Sequence, residues 1–88
     1  SLSPRLYKAF QGEMSYFRDR GLDARRQRAL IMEVAEELGG LTLDDIRELC
    51  AVDQAGAQLL ARQLVDEGLL KATKGADGRR NYVPVVDP

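Results

Sequence analysis

Apolar residues recur along this chain at helical spacing as far as residue 64, and the period then changes. Leu6, Phe10, Met14 and Phe17 fall at i, i+4, i+8 and i+11, one face of a helix expected to run to about Arg20. Ser3 suits its N-cap and Pro4 its first helical position. Gly12 weakens this helix by ~1 kcal/mol relative to Ala, so it needs something to pack on, and Gly21 ends it. A second helix is expected in "DARRQRALIMEVAEELGG". Asp23 can cap it, Ile31, Val34, Ala35 and Leu38 form its inward face, and Gly39-Gly40 terminate it.

"LTLDDIRELC" starts afresh, with Thr42 as N-cap and Asp45 in the reciprocal capping position. Leu43, Ile46, Leu49 and Cys50 are expected to point inward. A break at Ala51-Val52 leads to Asp53, the N-cap of a fourth helix running to about Glu67. Its inward face is Ala57, Leu60, Ala61 and Leu64, and Gly68 stops it. After Gly68, "LLKAT" and "NYVPV" read as short strands joined by "KGADGRR", where Asp77-Gly78 is a strong turn pair. The pattern predicts a β-hairpin with a mobile tip. Pro84 lacks an amide donor, which predicts an edge strand.

The expected fold is therefore mainly α with a small β-hairpin: an accessory helix over residues 1–22, then one domain over residues 23–88. Eighty-eight residues leave no room for a second core. The chain opens on Ser-Leu-Ser-Pro without a methionine and stops at Val-Asp-Pro, ends that suit a domain cut from a longer protein.

Composition narrows the chemistry. The single cysteine, Cys50, excludes a disulfide within the chain, and the lack of histidine excludes a zinc site of the usual Cys/His kind. The commonest general base is missing with it. No apolar run is long enough to cross a bilayer and no signal peptide is visible. We expect a cytoplasmic protein that is not an enzyme, with no catalytic residues and no cofactor, metal or membrane partner.

The order of elements resembles the winged helix-turn-helix superfamily, over about Asp23 to Val86. "IRELCAVD" looks like its second helix and turn, "AQLLARQLVDEGLL" like a recognition helix ending in Glu-Gly-Leu, and "KGADGRRNYVPV" like a wing. The superfamily often has Gly where this chain has Ala51. A positive φ there would strain Ala by about 1 kcal/mol.

The resemblance implies a domain that reads double-stranded DNA in a sequence-specific manner, in a transcription regulator or a larger DNA-handling protein. Its site residues would be Gln54, Gln58, Leu59 and Arg62 on the fourth helix and Lys71, Lys74, Arg79 and Arg80 on the wing. Gln can bond bidentately to adenine, Arg to guanine, and Leu can touch a thymine methyl. Wing cations can displace counterions along a phosphate row. The plain alternatives are a solvated face for the helix and a soluble loop for the wing.

Charge gives the opposing argument. Residues 71–88 carry Lys71, Lys74, Arg79 and Arg80 against Asp77 and Asp87, a balance of +2. Residues 39–70 carry Arg47 and Arg62 against Asp44, Asp45, Glu48, Asp53, Asp66 and Glu67, a balance of −4. The acidic stretch and Leu59 would suit a winged helix used as a protein-interaction module in a larger assembly, the alternative reading. Arg25, Arg26 and Arg28 at a positive helix end call for acidic partners, such as Glu33, Glu36 or Glu37 of a neighbour, or phosphate.

Four of the five aromatic residues, Tyr7, Phe10, Tyr16 and Phe17, fall in the first helix. That helix would cover the back of the domain, or pair with its twin in a homodimer matching two half-sites. Cys50 reads as a small core residue, since Glu48 and Asp53 are the wrong neighbours for a reactive thiolate.

Overall fold

The structure, a computed structural model, describes Pro4 and residues 23–86. The expected first helix and its apolar stripe lie outside the described residues. Three helices and a hairpin follow in the expected order: α1 (Ala24–Leu38), α2 (Leu43–Cys50), α3 (Gln54–Asp66), β1 (Leu70–Lys74) and β2 (Arg80–Pro84). Among the described residues no helix is long and apolar enough to cross a membrane.

Each helix starts on a side chain that satisfies an otherwise orphaned amide. Asp23 accepts from Arg26 N–H at 2.9 Å and Asp53 from Gly56 N–H at 2.8 Å. At α2 the bonding is reciprocal. Thr42 Oγ1 accepts from Asp45 N–H at 3.2 Å while Asp45 Oδ2 accepts from Thr42 N–H at 3.0 Å. This box accounts for Asp45 being buried beside the core.

The helix ends are equally definite. Gly68 takes a φ of 78° after α3, so that Leu69 N–H reaches Leu64 C=O and Gly68 N–H reaches Val65 C=O, both at 3.0 Å. This pair of bonds closes the last turn and sends the chain into β1. After α2 the same role falls to Ala51, with φ 54° and ψ 46°. Val52 N–H then bonds Arg47 C=O at 3.3 Å. Ala51 is the only non-glycine residue with positive φ among the described residues, which bears out the strain anticipated at this turn.

The core is built from one face of each element. Ile31, Val34 and Ala35 of α1 meet Ile46, Leu49 and Cys50 of α2 and Ala57, Leu60, Ala61 and Leu64 of α3, with Leu41, Leu70 and Tyr82 closing the sheet side. Leu30 joins them although it stood outside the expected face, and Leu38 and Leu43 are only half-buried. Cys50 is a core residue, as expected. Its Sγ–H faces the Gln27 carbonyl at 3.9 Å, and burial pushes its pKa up to about 12.

β1 and β2 pair antiparallel from Leu70↔Pro84 to Lys74↔Arg80. The Gly75 carbonyl accepts from Gly78 N–H at 3.0 Å at the tip, and Gly78 has a φ of 81°. β2 is an edge strand of this two-stranded sheet, as expected, with a single residue bridged to its outer side. Leu41 bridges to Tyr82 on the outer side of β2, through bonds of 2.8 and 2.6 Å. The bridge is confined to that one residue pair, and continuing it would set Pro84 opposite Gly39. Proline has no amide to offer there, so its effect is to stop the bridge and not to free the whole strand.

Two outcomes test this account. Replacing Ala51 by Gly removes the left-handed strain at the cost of a looser unfolded chain, and should raise stability by about 0.5–1 kcal/mol. Chemical denaturation of the variant checks it, and a loss of stability would contradict it. The second concerns Cys50. Below pH 9 both states keep the thiol proton, whereas between about 9 and about 12 the unfolded chain loses it and the folded chain does not. Stability should therefore fall as pH rises through that window, by at most about 1.4 kcal/mol per pH unit from this group. Cys50→Ala should be flatter than the unmodified protein between pH 8 and 10.5.

Candidate nucleic-acid interface

α2, the turn at Ala51–Asp53 and α3 set α3 across the domain with its inward face filled by small residues. Ala57 and Ala61 have no exposed surface, which lets α2 and α3 approach closely. The outward positions Gln54, Ala55, Gln58, Leu59 and Arg62 are all exposed. Leu59 is the most exposed of the large apolar residues on the helices, at 57%.

Three of the expected site residues converge. Gln58 and Arg62 from α3 and Arg80 from β2 line one groove of about 300 Å³, floored by Leu43, Val65, Ala72 and Tyr82. Strand alternation explains Arg80: it lies two residues before buried Tyr82 and so on the same face of the hairpin. Lys74 pairs with Arg80 in register and shares that face. Lys71 lies on the other face, opposite Val83, and is not brought to the groove. Gln54 and Leu59 are exposed on α3 but do not line it.

Arg79 is placed differently. Its guanidinium lies 3.9 Å from Asp77 and 4.0 Å from Asp44, the latter in the first turn of α2. Asp44 also holds Arg47 at 3.3 Å. One of the four wing cations is therefore shared with carboxylates already, and Asp44 is the residue at the site that sequence reasoning missed. Nothing in the local pattern could have found it, because Asp44 and Arg79 meet only through the fold.

The arginine run that opens α1 also finds an acidic partner within the chain. Arg28 pairs with Glu67, directly after α3, and not with Glu33, Glu36 or Glu37. The groove can thus present one amide and two guanidinium groups over an apolar floor, with a lysine alongside. That set can bond base edges and phosphate oxygens.

No protein-family model and no curated protein matches the chain. Solved structures do. A MarR-family transcriptional regulator from Silicibacter pomeroyi is 28% identical over 67% of this chain and 41% of its own, with a TM-score of 0.62. BpsR of Bordetella bronchiseptica, whose DNA binding is regulated by 6-hydroxynicotinic acid, aligns over 91% of this chain and 60% of its own, at 20% identity and a TM-score of 0.60. MepR, a transcription regulator of the Staphylococcus aureus multidrug efflux pump MepA, aligns over 98% and 67%, at 17% identity and a TM-score of 0.59. The chain spans only about two fifths of the first of these. What is shared with all three is the course of the backbone, and it identifies the fold of residues 23–86 as a winged helix-turn-helix, the fold of MarR-family regulators.

Proposed function

We propose that this chain binds double-stranded DNA in a sequence-specific manner, as the DNA-reading part of a cytoplasmic transcription regulator. The observation that carries the reading is the convergence of Gln58, Arg62 and Arg80 on one groove between α3 and the hairpin. The fold shared with a MarR-family regulator at a TM-score of 0.62 supports it. In this reading α3 enters the major groove, where Gln58 and Arg62 meet base edges and Leu59 a thymine methyl. Arg80 and Lys74 hold the adjacent phosphates and set the register of the helix.

The chain carries a net charge of −1, so nonspecific attraction to DNA is weak and a second set of contacts is needed for tight binding. A homodimer on two half-sites, or further domains of a parent protein, would supply it. The reading involves no catalytic step. A competing use as a protein-interaction module draws on the 57% exposure of Leu59 and on the acidic residues of α2. In that case Leu59→Glu would abolish association with a protein partner while Gln58→Ala left DNA binding untouched.

Two measurements test the DNA reading. Gln58→Ala should weaken binding to a selected site by ~1–3 kcal/mol and leave random DNA nearly unaffected. Changing Lys74, Arg79 and Arg80 together to Ala should weaken binding to both and lower the slope of log K against log salt by about 2–3 units. Binding that stays at the nonspecific level on every sequence in low salt would refute the proposal.

Asp44 gives a separate test. Its carboxylate competes with phosphate for Arg79, and an exposed pair of this kind is worth about 0.2–1 kcal/mol. Asp44→Asn should therefore tighten binding to all DNA alike, by up to about fivefold, with a steeper salt dependence. Unchanged affinity in titrations at low salt would show that Arg79 does not engage phosphate.

A further inference from the structure

α1 buries Leu30, Ile31, Val34 and Ala35 on one face and turns another to the surface. Arg25, Ala29, Met32 and Glu36 recur at i, i+4, i+7 and i+11 on that outer face, with Arg28 and Glu33 at its borders. Arg28 and Met32 are half-buried and the other four are exposed. Beside this face runs a groove of about 320 Å³, with Arg25, Arg28, Ala29 and Met32 on one side and Leu64 and Leu69 on the other. It shares no residue with the groove that holds Gln58 and Arg80.

The charges on α1 run against its dipole. The first turn holds no acidic residue and the last turn no basic one. Arg25 and Arg26 stand at the N-terminal end instead, and Glu36 and Glu37 at the C-terminal end. Both groups are at the end that disfavours them. Arg28 is taken up by Glu67, but among the described residues Arg25, Glu33 and Glu36 have no ion-pair partner.

We propose that a second copy of this chain docks on this face, with α1 antiparallel to the partner's α1 about a two-fold axis. The proposal stands whether or not the domain binds DNA. The axis passes between Ala29 and Met32, so that Ala29 packs on the partner's Met32. Arg25, four residues before Ala29, then meets the partner's Glu36, four residues after Met32. Arg28 likewise meets the partner's Glu33, and the two-fold makes each contact twice. A parallel pairing would set like charges together at both ends. The antiparallel one brings glutamates to each N-terminal end and arginines to each C-terminal end, the distribution that the dipole favours.

A face that carries its own complement points to a second copy more than to a foreign protein. Ala29 lets the two backbones approach, and Met32 adapts its shape to the seam. The contact continues onto an apolar border, since Leu69 is 41% exposed and Val85, whose N–H bonds the Leu69 carbonyl, is 42% exposed. The patch is short, because Arg25 to Glu36 covers about 16 Å of helix. It falls below the roughly 800 Å² per partner of a standard interface. The association is therefore weak, with a dissociation constant on the order of 10–100 μM.

Charge exchange tests the pairing, read as weight-average mass by sedimentation equilibrium of the 88-residue chain at roughly 10 μM to 1 mM. The unmodified chain should approach twice the monomer mass at the upper end, and less so in high salt. Arg25→Glu sets like charges at both ends of the contact, and so does Glu36→Arg. Either variant alone should bind itself at least about tenfold more weakly. Both changes agree with the helix dipole, so both variants should fold. An equimolar mixture of the two restores both pairs and should associate at least as tightly as the unmodified chain. Arg26→Glu has the same net charge as Arg25→Glu but lies off the face, and should associate like the unmodified chain. A monomer at every concentration would overturn the proposal. So would association that Arg25→Glu leaves unchanged, which would mean that another surface pairs the copies. A mixture no heavier than its separate components would overturn it as well.

Discussion

The hairpin is held to the helices by two hydrogen bonds between Leu41 and Tyr82, and the close approach behind them fixes what can stand at residue 40. A Cβ on Gly40 would lie 2.6 Å from the Asn81 amide nitrogen and 3.1 Å from Val83. A side chain at residue 40 would have to displace the Asn81 side-chain amide and crowd Val83, so glycine is favoured where the link between α1 and α2 runs this near β2. With the bridge made, Tyr82 turns inward over Leu43 and Val65, and the pleat carries Arg80 to the same face. The position of the hairpin relative to α3 thus follows from a contact that touches neither the turn at Ala51 nor α3 itself.

Under the proposed DNA reading, the distribution of charge separates grip from base contact. The acidic stretch from residue 39 to 70 leaves the face of α3 with neutral heads and one arginine, which suits bonding to edges more than attraction at a distance. The cations are on the hairpin, and one of them is shared between Asp44 and Asp77. Exposed pairs add little stability. Their weight falls on how much positive charge the hairpin can offer to anything that approaches.

Much of the architecture was legible because it is local. Thr42 with Asp45, Asp53 with Gly56, and the face of Ala57, Leu60, Ala61 and Leu64 depend on residues within a few positions of one another. The turn at Ala51 was legible from the resemblance, with its strain. What escaped is what the tertiary fold alone creates. A bridge of one residue pair has no period, so Leu41 left no trace in the hydropathy pattern. Leu30 lies beside the predicted face of α1 and was missed because that face is wider than the stripe read from it. The candidate site was half legible: Gln58, Arg62 and Arg80 were each named, but their meeting, the opposite placement of Lys71 and the hold of Asp44 on Arg79 join elements distant in the chain.

Pro84 has a consequence for how copies of this chain meet. A strand edge with free amides is a template on which another chain can add a strand and begin to aggregate. Along β2 that route is shut at two points: Leu41 occupies Tyr82, and Pro84 has no donor. The outer edge of β1 remains, and it carries Lys71 and Lys74, whose like charges oppose a second copy in register. Sheet extension is thereby discouraged on both sides of the hairpin, so self-association of the folded domain is left to its helical surfaces.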